Sequence, residues 1–173
     1  MMREPFRIAS LALEHMNVRA RVHILDAPIK NDSRDTQEGL RCFLEAGFKT
    51  VVSLGGDGTN RAIVKSSSDI DLIPLSTGTN NVFPTSVEPT LAGIVAGLNS
   101  LGRLTEIELK SRSKVIHIEH NTVSDIALID LVKMVSDQLG SLLPFKPQNI
   151  EKLLLTRAEL ASIGMSPIGV FID

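Results

Sequence analysis

The sequence has no tryptophan, no tyrosine and only six phenylalanines among its 173 residues. Proteins that bind single-stranded nucleic acids stack the bases on aromatic side chains. They also present basic surfaces to the phosphate backbone, whereas the net charge of this chain is −2. These two absences argue against a nucleic-acid partner.

Cysteine and long apolar segments are scarce as well. Cys42 is the single cysteine, which excludes an internal disulfide and fits the reducing cytosol. No apolar run approaches the roughly 20 residues that a membrane span requires. We therefore expect a cytoplasmic protein with no membrane partner. The hydrophobic content of 43% is ample for a core, and the length fits one domain or slightly more.

One stretch combines a strand, a glycine turn and a helix. The apolar, β-branched run 49–54 predicts a buried strand, and a helical pattern resumes from about Thr59 to Ser66. Glycines between them let the backbone approach a ligand, and the N–H groups at a helix start favour an anion. The layout predicts a phosphate site, in which Asp57 either holds Mg²⁺ or takes a proton from an attacking hydroxyl. The alternative is a plain turn, with Asp57 chosen for its turn propensity.

A second polar loop follows the next predicted strand, 71–75. Threonine and asparagine donate to phosphate or ribose oxygens without adding charge. Loops at the carboxyl ends of neighbouring parallel strands line one crevice. The alternative is a solvated linker with asparagines in turn conformations. The loop consists of Ser76, Thr77, Gly78, Thr79, Asn80 and Asn81.

The first hundred residues alternate helices and strands. Helices are predicted over 8–16, 35–46 and 88–101, and a short strand over 21–25. This order predicts a Rossmann-like, three-layer α/β unit with a parallel sheet over residues 1–102. In the helix 88–101 we expect one apolar stripe to face the core, formed by Leu91, Ile94, Val95, Leu98 and Leu101.

After Gly102 the pattern changes to alternation with short turns. It predicts an antiparallel, partial β domain over 103–173, with strands over 104–110, 114–119, 125–135, 150–156 and 168–173. His117, Glu119 and His120 do not predict a metal site, because on a strand His120 points away from the other two.

The glycine turn resembles a known signature. Gly55-Gly56-Asp57-Gly58-Thr59 is similar to the GGDGT motif of the superfamily of NAD kinases, diacylglycerol and sphingosine kinases and 6-phosphofructokinases. The segments 76–84, 88–101, 125–132 and 163–168 are similar to the acetoin-catabolism protein X family, which is described as ATP-NAD kinase-like. The resemblance implies an NAD kinase/diacylglycerol kinase-like fold. The family's opening strand and much of its carboxyl-terminal β domain have no counterpart in this chain.

The resemblance implies phosphoryl transfer from ATP, with Mg²⁺, to a hydroxyl group. The leading acceptor is the 2′-hydroxyl of NAD, which would give NADP. Asp57 is then the catalytic residue. Asp130 stands where NAD kinases carry the acid of an Asn-Glu pair that holds the other ribose, and Ile129 replaces the amide. The implied nucleotide-binding residues are Gly55, Gly56, Gly58, Thr59, Asn60, Thr77, Gly78, Thr79, Asn80 and Asn81.

Two alternatives stay open. The second loop resembles the diacylglycerol-kinase-like branch more closely, which would make a lipid or another small alcohol the acceptor. The segments without a counterpart favour a non-catalytic nucleotide-binding relative linked to acetoin catabolism. Family resemblance also implies a homo-oligomer built through the β domain.

Overall fold

The computed structural model describes residues 1–2, 7–104, 112–136, 147–160 and 164–171. Its helices are α1 (Ile8–Glu14), α2 (Ser33–Glu45), α3 (Asp57–Ser66) and α4 (Pro89–Ser100). Its strands are β1 (Thr50–Gly55), β2 (Asp71–Ser76), β3 (Ile116–His120), β4 (Val123–Ala127), β5 (Asp130–Met134) and β6 (Ile150–Leu155). Two 3₁₀ helices, Pro147–Asn149 and Ser166–Phe171, complete the described elements. The strand predicted over 104–110 lies, beyond Leu104, outside the described residues.

Strands β1 and β2 form a parallel pair. The register runs from Thr50 opposite Asp71 to Gly55 opposite Ser76. Because both strands end at the same level, the two polar loops leave the same end of the sheet. The fold is therefore mixed α/β, as predicted. The parallel sheet of the described ranges has only these two strands, so the full three-layer arrangement is not seen.

The core of this unit lies between β1 and the helices α2 and α3. Leu40, Val51 and Ile63 are each at most 5% exposed and contact one another. Helix α2 begins where the Asp32 side chain accepts a hydrogen bond from the Arg34 N–H, at 2.8 Å, an ordinary helix cap. This packing fixes α3 against β1, and it therefore fixes the turn that joins them.

Helix α4 packs through Ala92, Val95 and Asn99. The prediction that its large apolar side chains face the core is therefore wrong for all of them but Val95. Ala92 is buried and Val95 is half-buried. Asn99 donates to Thr50 Oγ1 at 2.8 Å and to Asp71 Oδ2 at 2.9 Å. Four of the large side chains expected in the core are exposed instead: Leu91, Ile94, Leu98 and Leu101.

The second part of the chain contains two antiparallel hairpins, as its alternating pattern predicts. In the first, Ile116 of β3 lies opposite Ala127 of β4. In the second, Asp130 of β5 lies opposite Leu155 of β6. The run predicted as one strand over 125–135 is thus divided between β4 and β5.

Two other predicted strands are wrong. Residues 21–25 have no regular structure, and the Leu25 N–H bonds to the Met1 carbonyl instead of to a neighbouring strand. The segment 166–171 is a 3₁₀ helix. It packs closely over β6, because a β-carbon on Gly169 would lie only 2.3 Å from Cδ1 of Leu155.

Candidate functional site

The turn between β1 and α3 presents the start of a helix to the solvent. Gly56 is the residue that precedes α3, and Asp57 opens the helix, two residues earlier than predicted. The Asn60 N–H donates to the Gly56 carbonyl at 3.1 Å. The amides of the first turn precede this bond and have no carbonyl partner within a helix. Together with the helix dipole they favour an anion at this end of α3.

Close packing explains three of the four glycines in the two loops. A β-carbon on Gly55 would lie 2.5 Å from Thr59 Oγ1. On Gly56 it would lie 2.5 Å from Asn81 Oδ1, and on Gly78 it would lie 2.8 Å from Asn81 Nδ2. A β-carbon on Gly58 would have no such atom within 4 Å. Gly58 therefore faces open space where a ligand can approach the backbone.

The carboxylate of Asp57 joins the first turn to the end of the second loop. The Val82 N–H lies 3.1 Å from both carboxylate oxygens. The Phe83 N–H donates to Oδ1 at 2.8 Å. These hydrogen bonds fix the orientation of Asp57 and the position of the segment that follows Asn81. The sequence shows no signal for them, because the partners are backbone groups 25 and 26 positions away.

Asn60 supports the turn from beneath. Its side chain is completely buried. Ser53 Oγ donates to Asn60 Oδ1 at 2.6 Å, and Asn60 Nδ2 donates to the Gly56 carbonyl at 2.8 Å. The structure thus places Asn60 under the turn, where its amide holds Gly56, and its predicted contact with a nucleotide stays a prediction.

The second loop lies against the first and exposes most of its side chains. Asn81 is half-buried against Gly56 and donates to Ser76 Oγ at 3.0 Å. Ser76 Oγ in turn donates to the Gly78 carbonyl at 3.1 Å. The remaining predicted side chains of this loop are exposed: Thr77, Thr79 and Asn80. The structure therefore brings the two predicted loops together, and their roles in binding remain predictions.

Asp130 lies close enough to Asp57 for the two charges to interact. Burial raises the pKa of the Asp130 carboxyl, a hydrogen bond from the Met165 N–H lowers it, and the charge of Asp57 raises it again. The turn before β5 is fixed by buried Thr156, whose Oγ1 donates to the carbonyls of Leu128 at 2.8 Å and Ile129 at 3.0 Å. The structure thus places the predicted acid against the backbone of Gly164 and Met165, within electrostatic range of Asp57.

Arg157, which sequence reasoning did not single out, also reaches this region. Its Nη2 donates to the carbonyl of Val82. Ser166, completely buried, donates through Oγ to the Arg157 carbonyl at 3.0 Å. No local pattern predicts a contact across 75 positions.

A second connection ties α3 to β4. Arg61 Nε donates to the Ile126 carbonyl at 2.8 Å, and its guanidinium pairs with Asp125. Lys65 Nζ lies 2.9 Å from Asp125 Oδ1. The hydrogen bond from Lys65, then the one from the Ile126 N–H and the charges of Arg61 and Lys65, hold the pKa of Asp125 below its usual value. The second part of the chain therefore holds both the helix and the loop that border the site.

Asp57 and Asp130 are the carboxylates that bear on the predicted Mg²⁺. Across the described residues, no three His, Cys, Asp or Glu side chains are grouped to hold a metal ion. Magnesium in phosphoryl-transfer sites commonly uses one or two carboxylates together with the phosphates of the substrate. Asp57 offers one carboxylate at the start of α3, and Asp130 offers a second within electrostatic range of it.

A glycine turn at a helix start, beside a second polar loop at the ends of parallel strands, is typical of α/β proteins that bind nucleotide phosphates. Comparison with protein families agrees with this class. The model of the ATP-NAD kinase N-terminal domain matches residues 6–100. The model of the Acetoin catabolism protein X C-terminal domain matches residues 114–173. The chain belongs to the ATP-NAD kinase family.

A curated relative supports the same assignment. The chain is 32% identical over 157 residues to Acetoin catabolism protein X of Cupriavidus necator, which covers 88% of this chain. The match spans 44% of the length of that relative. No solved structure matches. Among the helices of the described ranges, none is long and apolar enough to cross a membrane.

Proposed function

We propose that this protein transfers the γ-phosphoryl group of ATP to a hydroxyl group, with NAD as the acceptor. The observation that carries the proposal is the position of Asp57, which stands at the start of α3 and binds the backbone at the end of the second loop. A single carboxylate thus lies where the phosphate-binding turn and the loop nearest a second substrate meet.

The residues of the two loops have different roles in the proposed reaction. The first-turn amides at Gly58 and Thr59 bind phosphate oxygens, and the open space at Gly58 admits them. Thr77, Thr79 and Asn80 contact the nucleotide or the acceptor ribose with neutral donors. Asp57 accepts the hydroxyl proton while the hydroxyl oxygen bonds to the γ-phosphorus and the bond from phosphorus to ADP breaks.

Asp130 is a carboxylate that would hold Mg²⁺, and Asp57 would organise the ion only if it does not act as the base. The ion would supply charge neutralisation at the phosphates. Burial, and to a smaller extent the charge of Asp57, raise the pKa of Asp130, so a bound cation would favour the ionised form of this carboxyl.

The family supports NAD as the acceptor. The name of the relative, Acetoin catabolism protein X, supports a role for the reaction in cells that degrade acetoin. The product would be NADP.

The first test measures binding and turnover separately. Isothermal titration follows Mg-ATP and NAD into the wild type and into Asp57→Asn, and a coupled assay follows NADP formation. We expect both proteins to bind ATP and only the wild type to turn over, because asparagine keeps the carbonyl acceptor and loses the base. Asp69→Asn, an exposed carboxylate paired with Lys49 at 2.7 Å, is the matched control and should retain activity. Absence of ATP binding in the wild type would overturn the proposal.

A nucleotide-binding protein without turnover is the second candidate. One observation favours it: both oxygens of Asp57 accept backbone N–H groups, which leaves this carboxylate fewer lone pairs for a proton. The same experiment decides, because this candidate predicts ATP binding and no turnover in either protein. Adding diacylglycerol as an acceptor tests the lipid-kinase alternative.

A further inference from the structure

One side chain of the second part of the chain, Arg157, contacts the end of the second loop. Arg157 follows β6 directly and donates from Nη2 to the Val82 carbonyl. The N–H of Val82 donates to the Asp57 carboxylate. Val82 is therefore held from both sides, by an arginine at its carbonyl and by a carboxylate at its amide.

Arg157 is itself held in place. Ser166, a buried residue, donates to its carbonyl at 3.0 Å and fixes its backbone. Glu159 lies 3.6 Å from Nε and limits the guanidinium on its other side. An arginine that is fixed at its backbone and at its head can transmit its position to the loop that it contacts.

We infer that Arg157 is a positioning residue, which holds the second loop in the conformation that orients Asp57. The inference rests on the proposed function for its effect on turnover, and on the observed contacts for its effect on the loop. If the guanidinium is lost, the Val82 carbonyl loses its donor and the hydrogen bonds from Val82 and Phe83 to Asp57 weaken. Both the nucleotide-facing side chains of the loop and the carboxylate then lose their fixed geometry.

The test compares Arg157→Met, which keeps an unbranched apolar stem and removes every donor, with Arg157→Lys, which restores one charged donor. Arg41→Gln is the control, because Arg41 pairs with Glu38 and Glu45 on α2, away from both loops. Two readouts are taken on the full chain: amide hydrogen exchange of a peptide that covers 77–85 without ligand, and kcat and KM for Mg-ATP.

In Arg157→Met we expect exchange over 77–85 to accelerate about fivefold, as loss of one hydrogen bond implies. We expect kcat/KM to fall at least about tenfold, because small misplacements of reacting groups are costly. KM should rise as well as kcat fall, which mere loss of folded protein would not produce. Arg157→Lys should recover part of both effects, and Arg41→Gln should show neither.

Two results would overturn the inference: unchanged exchange over 77–85 in Arg157→Met, or faster exchange with unchanged kcat/KM. If the wild type binds no ATP, the proposed function fails, and the exchange measurement alone decides whether Arg157 holds the loop.

Discussion

At the scale of single residues, a substitution at Gly58 distinguishes phosphate binding from the stability of the fold. The other three glycines of the two loops are closely packed, whereas Gly58 faces open space on the exposed first turn of α3. A methyl group there meets no protein atom, and alanine favours a helix over glycine by about 1 kcal/mol. The same methyl group would stand where a phosphate must approach the backbone.

We therefore predict that Gly58→Ala unfolds at the same or a higher temperature than the wild type and binds ATP more weakly. Thermal unfolding and isothermal titration measure the two properties. Gly93→Ala is the matched control, because Gly93 also lies in a helix with no atom near its missing β-carbon. It should stabilise the protein and leave ATP binding unchanged. Equal ATP affinity in Gly58→Ala and the wild type would show that no phosphate approaches this amide.

Asp130 gives a prediction for pH. Burial and the charge of Asp57 raise its pKa above 3.8, against a smaller lowering by the Met165 N–H. A raised pKa means that the folded state holds this proton more tightly than the unfolded state. The ionised carboxyl therefore lowers the free energy of unfolding at neutral pH, and that cost disappears as the pH falls through the folded pKa towards 3.8.

Asp130→Asn keeps an oxygen to accept from Met165 and removes the charge. We expect it to unfold at a higher temperature than the wild type at pH 7. The difference should shrink as the pH falls and be lost below the usual aspartate range. Unfolding temperatures of both proteins between pH 7 and pH 3.5 check this. A difference that widens towards acid would mean that the ionised form is the one the fold stabilises.

At the scale of elements, substitutions in helix α4 can show which of its two apolar faces packs against the core. Ala92 is 2% exposed and Ile94 is 54% exposed. We predict that Ala92→Gln lowers the free energy of unfolding by about 2 kcal/mol, because a larger polar side chain must enter a filled space. Ile94→Gln should change it by less than about 0.5 kcal/mol, as exposed substitutions usually do. Urea unfolding of both variants measures the difference, and the reverse order would restore the orientation that the sequence predicts.

The same helix shows what a sequence can and cannot predict. The bounds of α4 and, to within two residues, of the strand-turn-helix around Asp57 follow from local signals: proline at the helix start, β-branched runs and glycines. The inward face of α4 does not, since Ala92 and Ala96 form a second apolar stripe that shares Val95 with the predicted one, and only packing chooses between the two. Residues 21–25 alternate like a strand, but a strand also needs a partner, which is a non-local property.

The candidate site divides in the same way. The two loops and Asp130 could be predicted, because residue types and family motifs mark them. The contacts that hold these loops in place, made by Asn60 and Arg157, could not be predicted. Asn60 is part of the motif, yet its burial depends on Ser53 across the turn. Arg157 carries no motif and acts through a backbone carbonyl, which leaves no trace in the sequence.

At the scale of the whole molecule, the folded chain exposes a large surface. It has a solvent-accessible surface of 12,892 Å². A compact monomer of its 18.8 kDa mass exposes about 8,300 Å², and its unfolded chain about 27,000 Å². Folding thus removes roughly half of the unfolded surface from water, whereas compact domains of this size remove about 70%.

This difference predicts a shallow unfolding transition. The dependence of the free energy of unfolding on urea scales with the surface exposed on unfolding. We expect its slope to be about a quarter below the value for compact proteins of equal length. Equilibrium unfolding in urea measures the slope. A normal slope would mean that the exposed apolar side chains are covered in solution, and sedimentation would then test the predicted homo-oligomer. The boundary at 102–103 stays a prediction.

The contact between Asp57 and Phe83 has a practical consequence. It uses the N–H of Phe83 and not the ring, so the ring can be exchanged without removing the hydrogen bond. The chain has no tryptophan or tyrosine, and a tryptophan introduced by Phe83→Trp would be its single strong fluorophore. Its emission would come from the residue next to the carboxylate alone. Tryptophan fluorescence would then report in real time whether the end of the second loop stays in the position that Arg157 and Asp57 hold.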